Sequence, residues 1–148
     1  MADLTFFEGK FIFNKPLDLE TKKILDLLAD TRRMRRDVKG FGIEGEFYFA
    51  DDRETVIDPN EPPSPQPSVW CDWKPTADGT ALGWTGRETF QCYTQWLQYI
   101  VDRILTPRGY TITGEVEYQG REARDYGTIV AESNSIRVLW GTGQIGHA

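Results

Sequence analysis

The chain is 148 residues long, 39% hydrophobic and 27% charged, with a formal net charge of −6. That length can bury a substantial core without disulfides or metals, and that composition excludes a disordered chain. The acidic balance disfavours general nucleic-acid binding through a basic surface, and no apolar run is long enough for a membrane span.

The first stretch, FFEGKFIFN, alternates. Phe7, Gly9, Phe11 and Phe13 share one face and Glu8, Lys10 and Ile12 the other, which predicts a strand. Asp18 is placed to cap a helix that closes on Gly40, with Ile24, Leu27, Leu28, Met34 and Val38 as its apolar stripe. GFGIEGEFYFADDRE then alternates again, Ile43, Gly45, Phe47 and Phe49 against Glu44, Glu46 and Tyr48, and predicts a second half-buried strand. It contains the bare pattern G-x-G-x-x-G. A dinucleotide site needs a strand before those glycines and a helix after them, and here the order is reversed. Gly40 is therefore read as a helix cap and Gly45 as a point of close approach.

Five of the eight prolines fall between residues 59 and 67, in a stiff loop expected to cross one surface. PSVWCDWKPTADGTALGW holds three of the five tryptophans and predicts a hairpin turning at TADGT. Thr85 and Glu88 form a T-x-x-E capping box that would open a second helix. Its apolar face runs through Phe90, Tyr93, Trp96, Leu97, Ile100, Val101 and Ile104 before Pro107 and Gly109 end it. YTITGEVEY, TIVAE and IRVLW predict three strands, the last two joined by an Asn134–Ser135 turn.

GFGIEGEFYF at 40–49 echoes GYTITGEVEY at 109–118, each directly after a helix. The echo points to β-α-β halves, 5–58 and 68–141, the second extended by a hairpin. The expected class is α+β, a mainly antiparallel sheet with two helices on one face and a loosely ferredoxin-like topology. One domain, 1–141, would precede a flexible tail, 142–148.

Catalytic constellations are thin. His147 is the single histidine and sits at the tail, leaving a serine or cysteine nucleophile without a base. Two lone cysteines and that histidine do not make a zinc site, and Asp51, Asp52, Glu54 and Asp58 lack an EF-hand's glycine and final glutamate. No catalytic residue, metal or cofactor is assigned, and binding is favoured over catalysis.

Binding candidates are clearer. Arg32, Arg33, Arg35 and Arg36 end the predicted first helix. At about 100° per residue they fan over roughly 160° away from Ile24, Leu27 and Met34. Such a cluster is either a solubilised, dipole-compensated helix end or an anion site. In strict alternation Val69, Cys71 and Trp73 form a core face, while Trp70 shares the other with Asp72 and Lys74. Trp70 either packs under the proline-rich loop or lines a groove, and Gln66 and Asp72 are its polar neighbours in that candidate site.

RRMRRDV, DPNEPPSPQPSVWCDWKPTADGTALGW, ETFQCYTQWLQYIVDRILTPRGYTITGEVEYQG and DYGTIVAESNSIRV resemble small proteins encoded in phages, prophages and bacterial mobile elements. The resemblance covers roughly residues 30–140. It implies a setting, the cytoplasm of a bacterial host, and carries over no reaction and no binding residue. Where that family carries more acidic residues after the long GEVEY strand, this chain has Arg121 and Arg124.

Four functions are open at this point. One is a non-enzymatic inhibitor of a host protein, with a defence component as a candidate target. A second is a binder that sequesters a nucleotide-like, anionic small molecule. The third is a hydrolase using Asp and Glu alone, and the fourth a homo-oligomeric accessory of a virion.

Overall fold

The computed structural model describes residues 5–42, 45–50 and 52–140. The tail 142–148, with His147, lies outside them, as do Ile43, Glu44 and Asp51. The elements run β1 (Phe6–Phe13), α1 (Leu19–Asp30), β2 (Arg35–Arg36), β3 (Val56–Asp58), β4 (Trp73–Pro75), β5 (Ala81–Trp84), α2 (Tyr93–Ile100), β6 (Ile112–Gln119), β7 (Tyr126–Glu132) and β8 (Ser135–Trp140). The class is α+β. Six strands form one antiparallel sheet in the order β4-β5-β1-β6-β7-β8, and β2 pairs with β3 in a separate ribbon. In a ferredoxin-like β-α-β-β-α-β sheet each β-α-β unit is split by a strand between its two parallel strands, so that all neighbours are antiparallel. Here β1-α1-β4-β5-α2-β6 lies in the order β4-β5-β1-β6, with β1 antiparallel to both β5 and β6, which matches the loosely ferredoxin-like expectation, and β7 and β8 extend the sheet beyond it.

The alternation in β1 holds. Phe7, Phe11 and Phe13 are buried while Glu8, Lys10 and Ile12 stand on the open face. The inward residues of β1, β6 and β7 join Leu25 and Leu28 of α1 and Trp96, Leu97 and Ile100 of α2 in one core. Trp73 sits at its centre, with ring centroids of Phe7, Phe11 and Phe90 at 5.4, 5.6 and 5.2 Å. Its indole N–H donates to the Tyr93 carbonyl at 2.8 Å, so the one polar atom brought inside is satisfied.

Helix α1 starts where expected, with the Asp18 carboxylate accepting from the Thr21 amide at 2.7 Å. It ends ten residues before Gly40. Thr31 turns extended (φ −119, ψ 141) and both its amide and its hydroxyl bond the Leu27 carbonyl, at 3.1 and 2.7 Å. The buried stripe is Thr21, Leu25, Leu28 and Ala29, while Met34 and Val38 lie beyond the helix. Gly40 lies in a short 3-10 turn, Lys39–Phe41, and the left-handed residue that closes it is Gly42.

The strand expected over 43–49 does not form among the described residues. Gly45–Phe47 is a 3-10 turn, so the echo with 109–118 pairs a turn with a strand. Gly45 is no point of close approach, since a Cβ there would meet only Pro63 Cβ, at 3.8 Å. The second helix also begins later than its capping box. The Thr85 amide donates to the Asp72 carbonyl at 2.9 Å, which prolongs the hairpin, and the helix opens only after Cys92, in the left-handed region at φ 58. It then continues through a π-helical Val101–Leu105 into a turn closed by Gly109. The last hairpin turns at Ser133–Asn134, both with positive φ, one residue earlier than expected.

Candidate functional site

Between α1 and β4 the chain forms an irregular lobe, and the four arginines hold it together. Ending α1 at Asp30 carries Arg33 inward to 2% exposure. Its guanidinium donates to Gln66 Oε1 (3.0 Å), Thr31 Oγ1 (2.8 Å) and the carbonyls of Gly45, Glu46 and Tyr48 (3.3, 3.0 and 3.3 Å). It also lies 4.8 Å from the centroid of the Phe49 ring. Burial lowers its pKa to about 10, which leaves it charged at neutral pH. Gln66, also buried, donates to the Glu46 carbonyl at 2.8 Å and to the Tyr99 hydroxyl at 3.1 Å. The Glu46 carboxylate accepts from Tyr99 at 2.5 Å and from Arg103, which ties the lobe to the second helix.

Arg36 donates to the Asp52 carbonyl (2.8 Å) and Thr55 Oγ1 (2.7 Å) and lies against Tyr48. Arg32 reaches the Pro59 carbonyl at 3.0 Å and Asn60 Oδ1 at 3.3 Å. Arg35 pairs with Glu61 at 2.9 Å on the surface. The expectation of a solvent-facing arginine fan on a helix is therefore corrected. The arginines lie on extended chain, and an arginine fork meets more backbone carbonyls there than a helix surface could offer.

Trp70 is half-buried and forms the wall between two adjoining hollows. The first, of about 290 Å³, is lined by Arg32, Arg33, Met34, Arg36 and Tyr48. The second, of about 360 Å³, is lined by Asp30, Asp72, Lys74, Thr85 and Arg87. The predicted face of Trp70, Asp72 and Lys74 thus exists and opens into one cleft. The structure brings Arg32, Arg33, Arg36, Trp70 and Asp72 together. Arg35 turns away toward Glu61, and Gln66 lies in the buried network beneath.

Asp72 is 1% exposed. Its Oδ1 accepts from Arg87 Nε at 2.9 Å, and its Oδ2 has no hydrogen-bond partner among the described residues. Burial raises its pKa, and Arg87 and, more weakly, the Thr85 side chain pull it back. The Arg87 guanidinium carbon stands 4.1 Å from the Trp70 ring centroid. Its backbone is fixed on both sides: the amide donates to Thr85 Oγ1 at 3.3 Å and the carbonyl accepts from Trp84 Nε1 at 3.0 Å. Lys74 pairs with Asp30 at 2.8 Å.

The sequence reading missed Arg87, Asp30, Glu46 and Tyr99 as partners. Arg87 sat inside a supposed capping box, although the β4–β5 register continued outward sets it opposite Trp70. Cys71 is buried, which pushes its thiol pKa well up and leaves it a packed side chain. Among the described residues no group of three His, Cys, Asp or Glu could hold a metal ion, and no helix is long and apolar enough to cross a membrane. Comparisons with protein-family models, curated proteins and solved structures give no significant match to this chain.

Proposed function

We propose that this chain is a non-catalytic binding protein whose ligand is a planar, anionic small molecule of nucleotide type, held at Trp70. The observation that carries this reading is the convergence of Trp70 with cationic side chains in the two hollows that it lines. Arg32 lines one hollow and Lys74 and Arg87 the other. An aromatic face stacks a base of any kind, and nearby guanidinium and ammonium groups neutralise phosphate. Set in a phage-infected bacterium, such a protein sequesters a nucleotide signal in the host cytoplasm.

A host-protein partner is the second reading, favoured by exposed Phe41 and Ile57 on the same lobe. Native mass spectrometry of the chain purified gently from bacterial extract decides between them. A nucleotide-sized mass retained by the wild type and lost in Trp70→Ala supports the small-ligand reading. A stoichiometric protein partner with no small molecule replaces it, and a bare homo-oligomer favours the virion accessory.

A further inference from the structure

We infer that the Trp70–Asp72 cleft is a guanine subsite, and that Arg87 fills it in the free protein as a stand-in for the base. The inference rests on the nucleotide reading above and names the base.

The Asp72 carboxylate, acceptor-only when ionised, lines the cleft, its Oδ1 accepting from Arg87 and its Oδ2 without a hydrogen-bond partner among the described residues. Buried acceptors of that kind call for a donor, and the second oxygen leaves room in the bonding scheme for one more N–H. What lies over the carboxylate now shows which chemistry fits. The Arg87 guanidinium is a planar carbon bearing three nitrogens, stacked 4.1 Å from the Trp70 ring centroid, with Nε on Asp72 Oδ1. Guanine carries the same fragment at C2, flanked by N1, N2 and N3. The slot therefore already holds, within one chain, the shape and donor pattern of a guanine edge.

The partners differ in their access to water. The Asp72 side chain is 2% exposed and that of Arg87 44%. The carboxylate is fixed in the fold while the guanidinium sits at the rim, free to swing outward without opening the core. A base entering the slot would take both carboxylate oxygens with its N1–H and N2–H. Among the common bases guanine alone offers two adjacent ring-edge donors. Adenine and cytosine set an acceptor beside their amino group, and uracil flanks its single N–H with carbonyls, so each would put a lone pair against the carboxylate. The displaced Arg87 and neighbouring Lys74, lining the same cleft, are then placed for the phosphate.

The test is isothermal titration calorimetry of the full chain with 5′-GMP, 5′-AMP, 5′-CMP, 5′-UMP and guanosine. A bidentate edge contact predicts that GMP binds about ten- to a hundredfold more tightly than AMP. Asp72→Asn removes that preference, because an amide presents a donor where the base also donates. Arg87→Ala binds guanosine several-fold more tightly than the wild type, since no side chain must first be displaced. AMP binding as well as GMP overturns the guanine assignment and leaves the nucleotide reading standing. Binding of none of the four nucleotides overturns both. Weaker guanosine binding by Arg87→Ala overturns the stand-in role, and this arm together with the wild-type panel decides the matter even if Asp72→Asn does not fold.

Discussion

Arg33 and Arg35 are two residues apart and chemically identical, yet the fold uses them in opposite ways. Arg33 donates to five acceptors of its own chain at 2% exposure, whereas the Arg35 side chain is 47% exposed and pairs with Glu61 on the surface. Removing Arg33 takes the donor from the Tyr48 carbonyl and from Gln66 Oε1, while the Gly45 and Glu46 carbonyls keep the Tyr48 amide and the Gln66 amide as donors. Arg33→Ala is expected to cost on the order of 3–5 kcal/mol in urea unfolding, and Arg35→Ala less than about 1 kcal/mol. Equal effects of the two substitutions would show that the buried fork contributes nothing. Arg33→Lys gives little rescue, because a single ammonium cannot reach a planar set of five acceptors.

At the scale of elements, the pairing of β1 with β6 depends on two glycines. Phe11 lies opposite Gly114 and Gly9 opposite Val116. A Cβ on Gly114 (φ +152) would come within 2.8 Å of the Lys10 carbonyl oxygen, and one on Gly9 (φ +111) within 2.6 Å of that of Glu115. Both glycines therefore serve close approach of two backbones at the centre of the sheet. Gly114→Ala should lower stability by about 1–3 kcal/mol, through strained φ and a forced separation of the strands. Gly40→Ala, with open space around it, serves as the control and leaves the thermal midpoint unchanged.

For the whole molecule the consequence is an acid limb of stability. Hydrogen bonds from Tyr48 and Thr55 hold the Asp52 carboxyl at about 2, and those from Thr76 and Thr80 hold Asp78 at about 2, against an ordinary 3.8. A folded pKa below the unfolded one means that the unfolded chain takes up protons first as pH falls. The stabilisation from both groups is therefore complete above about pH 4 and is lost between about 4 and 2. Thermal melts from pH 6 to pH 2 should show that loss, and Asp52→Asn should make it shallower. A variant as steep as the wild type removes Asp52 from this account.

What the sequence determined by itself was the local periodicity. The two-residue alternation of FFEGKFIF, the Asp18 cap, the TADGT turn and the apolar face through Trp96 and Ile100 are read from neighbours a few positions apart, and each of these signals is matched in the structure. The face shared by Trp70, Asp72 and Lys74 was legible for the same reason. The end of α1, the fate of Gly45–Phe47 and the role of the arginines were not. Helical spacing continues past Asp30 in the sequence, but five acceptors, among them Gln66 and the carbonyls of Gly45, Glu46 and Tyr48, outbid it for Arg33. The meeting of Trp70 with Arg87 was likewise decided only by the tertiary structure. It arises because the β4–β5 hairpin is prolonged to residue 85 at the carbonyl of Asp72, where the capping-box pattern predicts the start of a helix.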